Sequence, residues 1–143
     1  MRMIGLDTNI LVRYLTKDDE QQWQQATTVI QRNQPCFITN IVLCELVWVL
    51  RGASYGFRKD KIINVLEAML HSAAFEFEDR LTIDQALQQY KQGKADFSDY
   101  LIGAVSKQAG CTETVTFDGK LEGERGFQYG CVLPGDQSNR ETT

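Results

Sequence analysis

Apolar residues recur along the chain in short runs and in longer stretches with helical spacing, and the two kinds alternate. Residues 3–6 form a short apolar run that ends at Asp7-Thr8-Asn9, the pattern of a buried strand entering a turn or the start of a helix. The spacing then predicts a helix over residues 18–33, with Trp23, Ala26, Thr27 and Ile30 on one face and Pro35 as the stop. Cys36-Phe37-Ile38 reads as a second strand. Thr39 suits the N-cap of a helix to about Arg51, in which Leu43, Leu46, Val47 and Leu50 have core spacing. After a break at residues 52–56, a helix over 58–71 turns Ile62, Val65, Leu66 and Met69 inward. Residues 74–77 are the third strand, followed by a helix that Thr82 caps and Gly93 ends. Asp96 opens a last helix with Phe97, Leu101, Ala104 and Gln108 on one face, closed by Gly110. Residues 114–117 make a fourth strand ending at Asp118, and residues 131–133 are the candidate fifth.

Strands alternating with helices imply an α/β layer fold around a mainly parallel sheet of four to five strands. The 143 residues fit one domain, expected over 1–133. Residues 134–143, without apolar side chains apart from Pro134, are expected to be a flexible tail.

Composition narrows the function classes. Apolar residues at 43% and charged residues at 24% are those of an ordinary globular protein. A net charge of −4 argues against a generic nucleic-acid coat. It does not exclude an enzyme that meets nucleic acid through bound cations, because these reverse the local field. Cys36, Cys44, Cys111 and Cys131 form no Cys-x-x-Cys pair and His71 is the single histidine, so buried free thiols are expected rather than a zinc site. The longest apolar run, residues 38–50, contains Glu45 and is too short for a bilayer, which takes about 20 residues. With only Met1-Arg2 before the first strand, no secretory leader and a cytoplasmic location are expected, with no membrane partner.

The acids carry the chemistry. In a parallel sheet, strand C-termini and the N-termini of neighbouring helices share one edge, where ligand sites form. Asp7 follows the first strand, Glu45 lies early in the helix after the second, Asp96 and Asp99 open the helix leading to the fourth, and Asp118 follows that strand. All five are therefore expected at one edge. Glu45 is the only charged residue within 38–50, in a segment that reads as helix core; a buried lone carboxylate is costly unless it faces a cation.

Each acid also has a structural reading. Asp7-Thr8-Asn9 suits a helix cap, Asp96 with Asp99 resembles a capping pair, Asp118-Gly119 is a turn dipeptide, and Glu45 could reach solvent or Arg51. Their joint arrival favours function. Two like charges about 4 Å apart repel by roughly 4 kcal/mol at an effective dielectric near 20. Clustered carboxylates would therefore consume much of a domain's roughly 5–15 kcal/mol of stability unless cations neutralise them. An all-oxygen set favours Mg²⁺ or Mn²⁺, as one or two ions, and suits phosphodiester hydrolysis.

Gly5-Leu-Asp-Thr-Asn-Ile-Leu-Val-Arg-Tyr-Leu15, the lone Glu45, Ala95-Asp-Phe-Ser-Asp-Tyr-Leu-Ile102 and Thr114-Val-Thr-Phe-Asp118 together resemble the PIN domain, in particular VapC-like toxins of toxin–antitoxin pairs. The resemblance runs from Met3 to about Leu133. It implies a three-layer α/β/α sandwich and Mg²⁺- or Mn²⁺-dependent endoribonuclease activity on RNA. It also implies frequent homodimers and a small antitoxin that inhibits the toxin in the same cell. Carried over by position, the metal-binding and catalytic acids fall on Asp7, Glu45, Asp99 and Asp118, with Asp96 as an additional acid. Asn9 and Thr116 match small polar positions lining such sites. Arg13 and Lys120 lie near the expected edge by sequence and are candidates for substrate phosphates, with residues 58–61, Lys91 and Lys94 farther away.

Two rivals remain at this stage. An Asp after the first strand also serves as nucleophile in aspartate-dependent phosphatase or phosphoacceptor domains, although Asn9 stands where that chemistry commonly wants a second acid. The other is a catalytically inactive PIN module that binds RNA or protein. The pattern around Trp23, Ile62 and Leu66 could serve a partner surface, though core packing explains it more simply.

Overall fold

The structure, a computed structural model, describes residues 2–130; the candidate fifth strand at 131–133 and the tail at 134–143 lie outside the described residues. The element order is α1 (Thr8–Thr16), α2 (Glu20–Arg32), β1 (Cys36–Ile38), α3 (Asn40–Arg51), α4 (Lys59–His71), β2 (Phe75–Phe77), α5 (Arg80–Gln92), α6 (Phe97–Gln108), β3 (Thr114–Thr116), a 3-10 turn (Gly119–Leu121) and β4 (Phe127–Tyr129). The described residues divide into two compact units, the first ending at Asp84 and the second beginning at Gln85, with the boundary inside α5.

In the first unit β1 and β2 pair in parallel, with Cys36 opposite Phe75 and Ile38 opposite Phe77. Residues 4–6 join β1 as a single parallel bridge, Gly5 opposite Phe37, made by Phe37 N–H to the Ile4 carbonyl at 2.7 Å and Leu6 N–H to the Phe37 carbonyl at 3.0 Å. The α/β class and the parallel pairing agree with the alternating pattern. A sheet of four to five strands is not what the ladders form: among the described residues there are two two-stranded parallel ladders. The first predicted strand contracts to a bridge because Asp7 already caps a helix, leaving three residues to pair.

Helix α3 follows from its sequence. The Thr39 hydroxyl accepts from Val42 N–H at 3.1 Å, satisfying one of the four orphan donors of the first turn. Val42, Leu43, Leu46, Val47 and Leu50 form the buried stripe, each contributing roughly 1.5–3 kcal/mol by leaving water. Ile62, Leu66 and Met69 of α4 are buried, so Ile62 and Leu66 belong to the core; Val65 is half-buried. Trp23 and Thr27 are half-buried beside fully buried Ala26 and Ile30 on α2, with the Lys17 ammonium over the Trp23 ring. The first turn of α5 is held by the Asp79 carboxylate, which accepts from Thr82 N–H at 3.2 Å; Asp79 is the cap, and Thr82 lies buried inside the helix. The thiols also depart from expectation, since Cys36 is buried but Cys44 is half-buried and Cys111 exposed.

In the second unit β3 and β4 pair in parallel, Thr114 opposite Phe127 and Thr116 opposite Tyr129. Tyr90, Phe97, Tyr100 and Phe127 form a run of edge-on and tilted ring contacts. Two glycines permit this packing. A methyl group at Gly93 would meet the Tyr100 hydroxyl at 1.7 Å, and one at Gly103 would meet the Phe127 ring at 2.6 Å. Among the described residues, no helix is long and apolar enough to cross a membrane.

Candidate functional site

The first unit brings Asp7 and Glu45 under one residue. Asp7 stands at the end of the bridged segment, in extended conformation, and its carboxylate accepts from Thr8 N–H at 2.7 Å to cap α1. Thr8 is buried, and its hydroxyl donates to Glu45 Oε1 at 3.2 Å. One residue thus holds two acids distant in sequence, Asp7 by its backbone and Glu45 by its side chain. The buried position expected for Glu45 is corrected: the side chain is exposed, on the face of α3 that also exposes Ile41, Trp48 and Val49. The apolar neighbours in sequence include this exposed face, so they did not imply burial.

The second unit places the other acids at two helix starts. Asp96 is the N-cap of α6, and Asp99 Oδ2 reaches back to accept from Asp96 N–H at 3.2 Å. Asp118 caps the 3-10 turn, accepting from Lys120 N–H at 2.9 Å, while the Thr116 hydroxyl accepts from Asp118 N–H at 3.0 Å. Asp99 is half-buried, and its carboxyl is held above the usual carboxylate range. Desolvation is the main cause; the charges of Asp96 and Asp118 push the same way, against the Asp96 backbone hydrogen bond and the Lys120 charge. Asp96, Asp118 and Lys120 therefore lie in the neighbourhood of Asp99. The capping roles foreseen as the structural alternative are present in Asp7, Asp96, Asp99 and Asp118.

Among the weaker candidates, Asn9 is exposed on the first turn of α1. Arg13 is committed elsewhere: its guanidinium bonds both oxygens of Asp18 at 3.0 Å, the Tyr55 hydroxyl at 3.3 Å and Gln22 Oε1. That network joins the end of α1 to the start of α2. Of the farther cations, the Lys61 ammonium lies 4.0 Å from the Phe57 ring centroid.

Sequence reasoning missed Thr8 and Glu78. Thr8 was read with its neighbours as a cap, although a hydroxyl at the first position of a helix whose stripe is Thr8, Leu11 and Val12 faces inward. Glu78 directly follows β2, the same signal that singled out Asp7 and Asp118, and its Oε2 accepts from Asn40 N–H at the start of α3.

Every donor in question is an oxygen of a carboxylate or hydroxyl, the chemistry of a hard divalent cation. Among the described residues, no group of three or more His, Cys, Asp or Glu side chains gathers closely enough to hold a metal ion.

The sequence pattern of the PIN domain matches residues 4–123, a span containing all five acids. A VapC ribonuclease of Aquifex aeolicus (strain VF5) is 28% identical over 115 residues, covering 78% of this chain and 84% of that protein. With the family pattern spanning most of its length and the acids standing at strand ends and helix starts within it, the chain belongs to the PIN domain family.

Proposed function

We propose that the protein is a divalent-metal-dependent endoribonuclease acting as the toxin of a VapBC-like toxin–antitoxin pair, with Asp7, Glu45, Asp99 and Asp118 as its metal-binding and catalytic acids and Asp96 in support. The observation that carries the reading is the presence of all these acids within the segment matching the family, joined to the likeness to a VapC ribonuclease. The three-layer α/β/α sandwich with its larger parallel sheet is part of the same proposal. So is a single nuclease domain over residues 1–133.

The carboxylates would hold Mg²⁺ or Mn²⁺, one ion or two, and a bound ion would supply an activated water at neutral pH and charge stabilisation at the leaving oxygen. The chain's own residues have narrower tasks. Thr8 fixes the rotamer of Glu45 through its hydroxyl and holds Asp7 through its amide. The Asp96–Asp99 cap and the Thr116–Asp118 turn fix the backbone at the other acids. Lys120, whose charge acts on Asp99, is proposed to meet a substrate phosphate, with Arg13 as the second candidate. Asn9 and Thr116 are proposed to line the site. The partners are RNA, a small antitoxin protein and a second copy of the chain, in the cytoplasm.

The test is cleavage of an RNA panel with Mg²⁺ or Mn²⁺, comparing wild type, Asp7→Asn and a chelator control. Cleavage that needs the cation and is lost in the variant is expected. Cation-independent cutting, full activity of the variant, or a covalent aspartyl-phosphate after incubation with a phospho-donor would overturn the reading.

A further inference from the structure

The parallel register of β1 and β2 sets Ile38 opposite Phe77, so the residues leaving the two strands emerge side by side. From β1 the chain turns through Thr39 into α3; from β2 it passes through Glu78 into the Asp79 cap of α5. Glu78 does not serve α5. Its carboxylate crosses to the neighbouring connection and accepts the Asn40 N–H, another of the four donors that the first turn of α3 leaves open. The Thr39 hydroxyl takes the Val42 N–H of the same turn at 3.1 Å. The start of α3 therefore has a local cap from Thr39 and a second, charged one from a residue 38 positions away. A carboxylate at this end of a helix is also favoured by the helix dipole.

Glu45 sits on α3 only five residues after Asn40, little more than one turn in. Among the described residues its exposed side chain hydrogen-bonds Thr8 at 3.2 Å, and the direction of its carboxylate depends on where the first two turns of α3 lie.

We infer that Glu78 is a positioning residue for Glu45, acting by clamping the N-terminus of α3 to the end of β2. This rests on the metal-dependent ribonuclease reading for its functional consequence, though not for the clamp itself. The chemistry makes the two separable, because glutamine retains a side-chain oxygen that can accept the Asn40 N–H and lacks only the charge.

The experiment compares full-length wild type, Glu78→Ala and Glu78→Gln in two assays, Mn²⁺-dependent cleavage of RNA and amide hydrogen exchange without metal. Glu78→Ala is expected to raise the Mn²⁺ concentration for half-maximal cleavage about tenfold, the lower end of what losing an outer support of a metal ligand costs, with KM for RNA unchanged. It is also expected to speed exchange in residues 40–43. Glu78→Gln is expected to restore most of both, since it keeps the acceptor and loses only the charge's share of the cap. Equal impairment of cleavage in Gln and Ala overturns the inference, because the charge itself would then act on cation or RNA. An unchanged Mn²⁺ requirement or unchanged exchange in Glu78→Ala overturns it as well. If wild type cuts no RNA with any cation, the nuclease reading fails, while the exchange comparison still decides the clamp.

Discussion

Replacing Thr8 separates what the residue does for the fold from what it does for Glu45. Thr8→Val keeps shape and volume but removes the hydroxyl that reaches Glu45 Oε1. At 3.2 Å this bond is long for a hydroxyl donor, and its acceptor is exposed, so water replaces it readily. Its net contribution to stability is therefore at the low end of about 0.5–1.5 kcal/mol. Thr8 itself is only 7% exposed, so exchanging hydroxyl for methyl gains buried apolar surface at about 0.8 kcal/mol per carbon. The two terms oppose, and the unfolding free energy of Thr8→Val should stay within about 1 kcal/mol of wild type. The functional effect is larger: releasing a ligand from its outer partner commonly costs 10- to 100-fold in metal affinity, about 1.4–2.8 kcal/mol. Thr8→Ser reverses the pattern, keeping the hydroxyl but losing a buried methyl worth about 0.8 kcal/mol. Urea denaturation without metal and RNA cleavage over a Mn²⁺ titration read the two quantities. The reasoning predicts that Val shifts the Mn²⁺ midpoint with little change in stability, and that Ser loses stability with little shift. A wild-type Mn²⁺ midpoint in Thr8→Val, or an equal shift in both variants, would refute it.

Other consequences are tested more simply. Gly93→Ala puts a methyl group 1.7 Å from the Tyr100 hydroxyl and 2.7 Å from Glu124 Oε1, which share a 3.0 Å hydrogen bond. Because the ring is fully buried, overpacking should cost about 1–3 kcal/mol in urea denaturation, and a neutral result would mean that this corner yields freely. The Asp18 carboxyl is lowered from 3.8 to about 2, chiefly by the Tyr55 hydroxyl, then Thr16 and Arg13. A depressed folded-state pKa means the contribution is complete above about pH 4 and fades as pH falls toward 2. The Tm difference between wild type and Asp18→Asn should shrink over that window, and a constant difference would contradict the assignment. Among the described thiols, maleimide labelling of the native protein followed by mass spectrometry should modify exposed Cys111 first and Cys36 last, since Cys36 is buried and burial pushes its thiol up. Equal rates would contradict the described burial.

What the sequence revealed depends on how local each cause is. Helix α3 was legible because its cap and its stripe are both written within a dozen residues. Helix α1 was missed as an element: Ile10, Leu11 and Val12 blur a stripe of only three buried positions, and its end at Lys17 uses a left-handed residue, φ 57°, where glycine would have signalled the stop. Strand β4 is three residues between Gly126 and Gly130, too short for alternation to show, and exists through pairing with β3. The acids were found by a topological rule, which identifies residues at strand ends without stating their exposure. At Glu45 burial was expected because the segment is apolar throughout, yet the residue lies on the face where Ile41, Trp48 and Val49 are exposed, opposite the buried stripe. Glu78 satisfies the same rule but was not singled out by it, and its contact with Asn40 emerges only with the register of β1 and β2.

The most direct test of the central claim is a Mn²⁺-binding titration, by calorimetry or by the resonance of free Mn²⁺, on wild type, Asp7→Asn, Glu45→Gln and the double variant. If Asp7 and Glu45, both held by Thr8, serve the same cation, each single substitution weakens binding strongly and the double variant loses much less than the sum of the two. Wild-type affinity in either single variant, or losses that simply add, would contradict the proposal that these carboxylates share an ion.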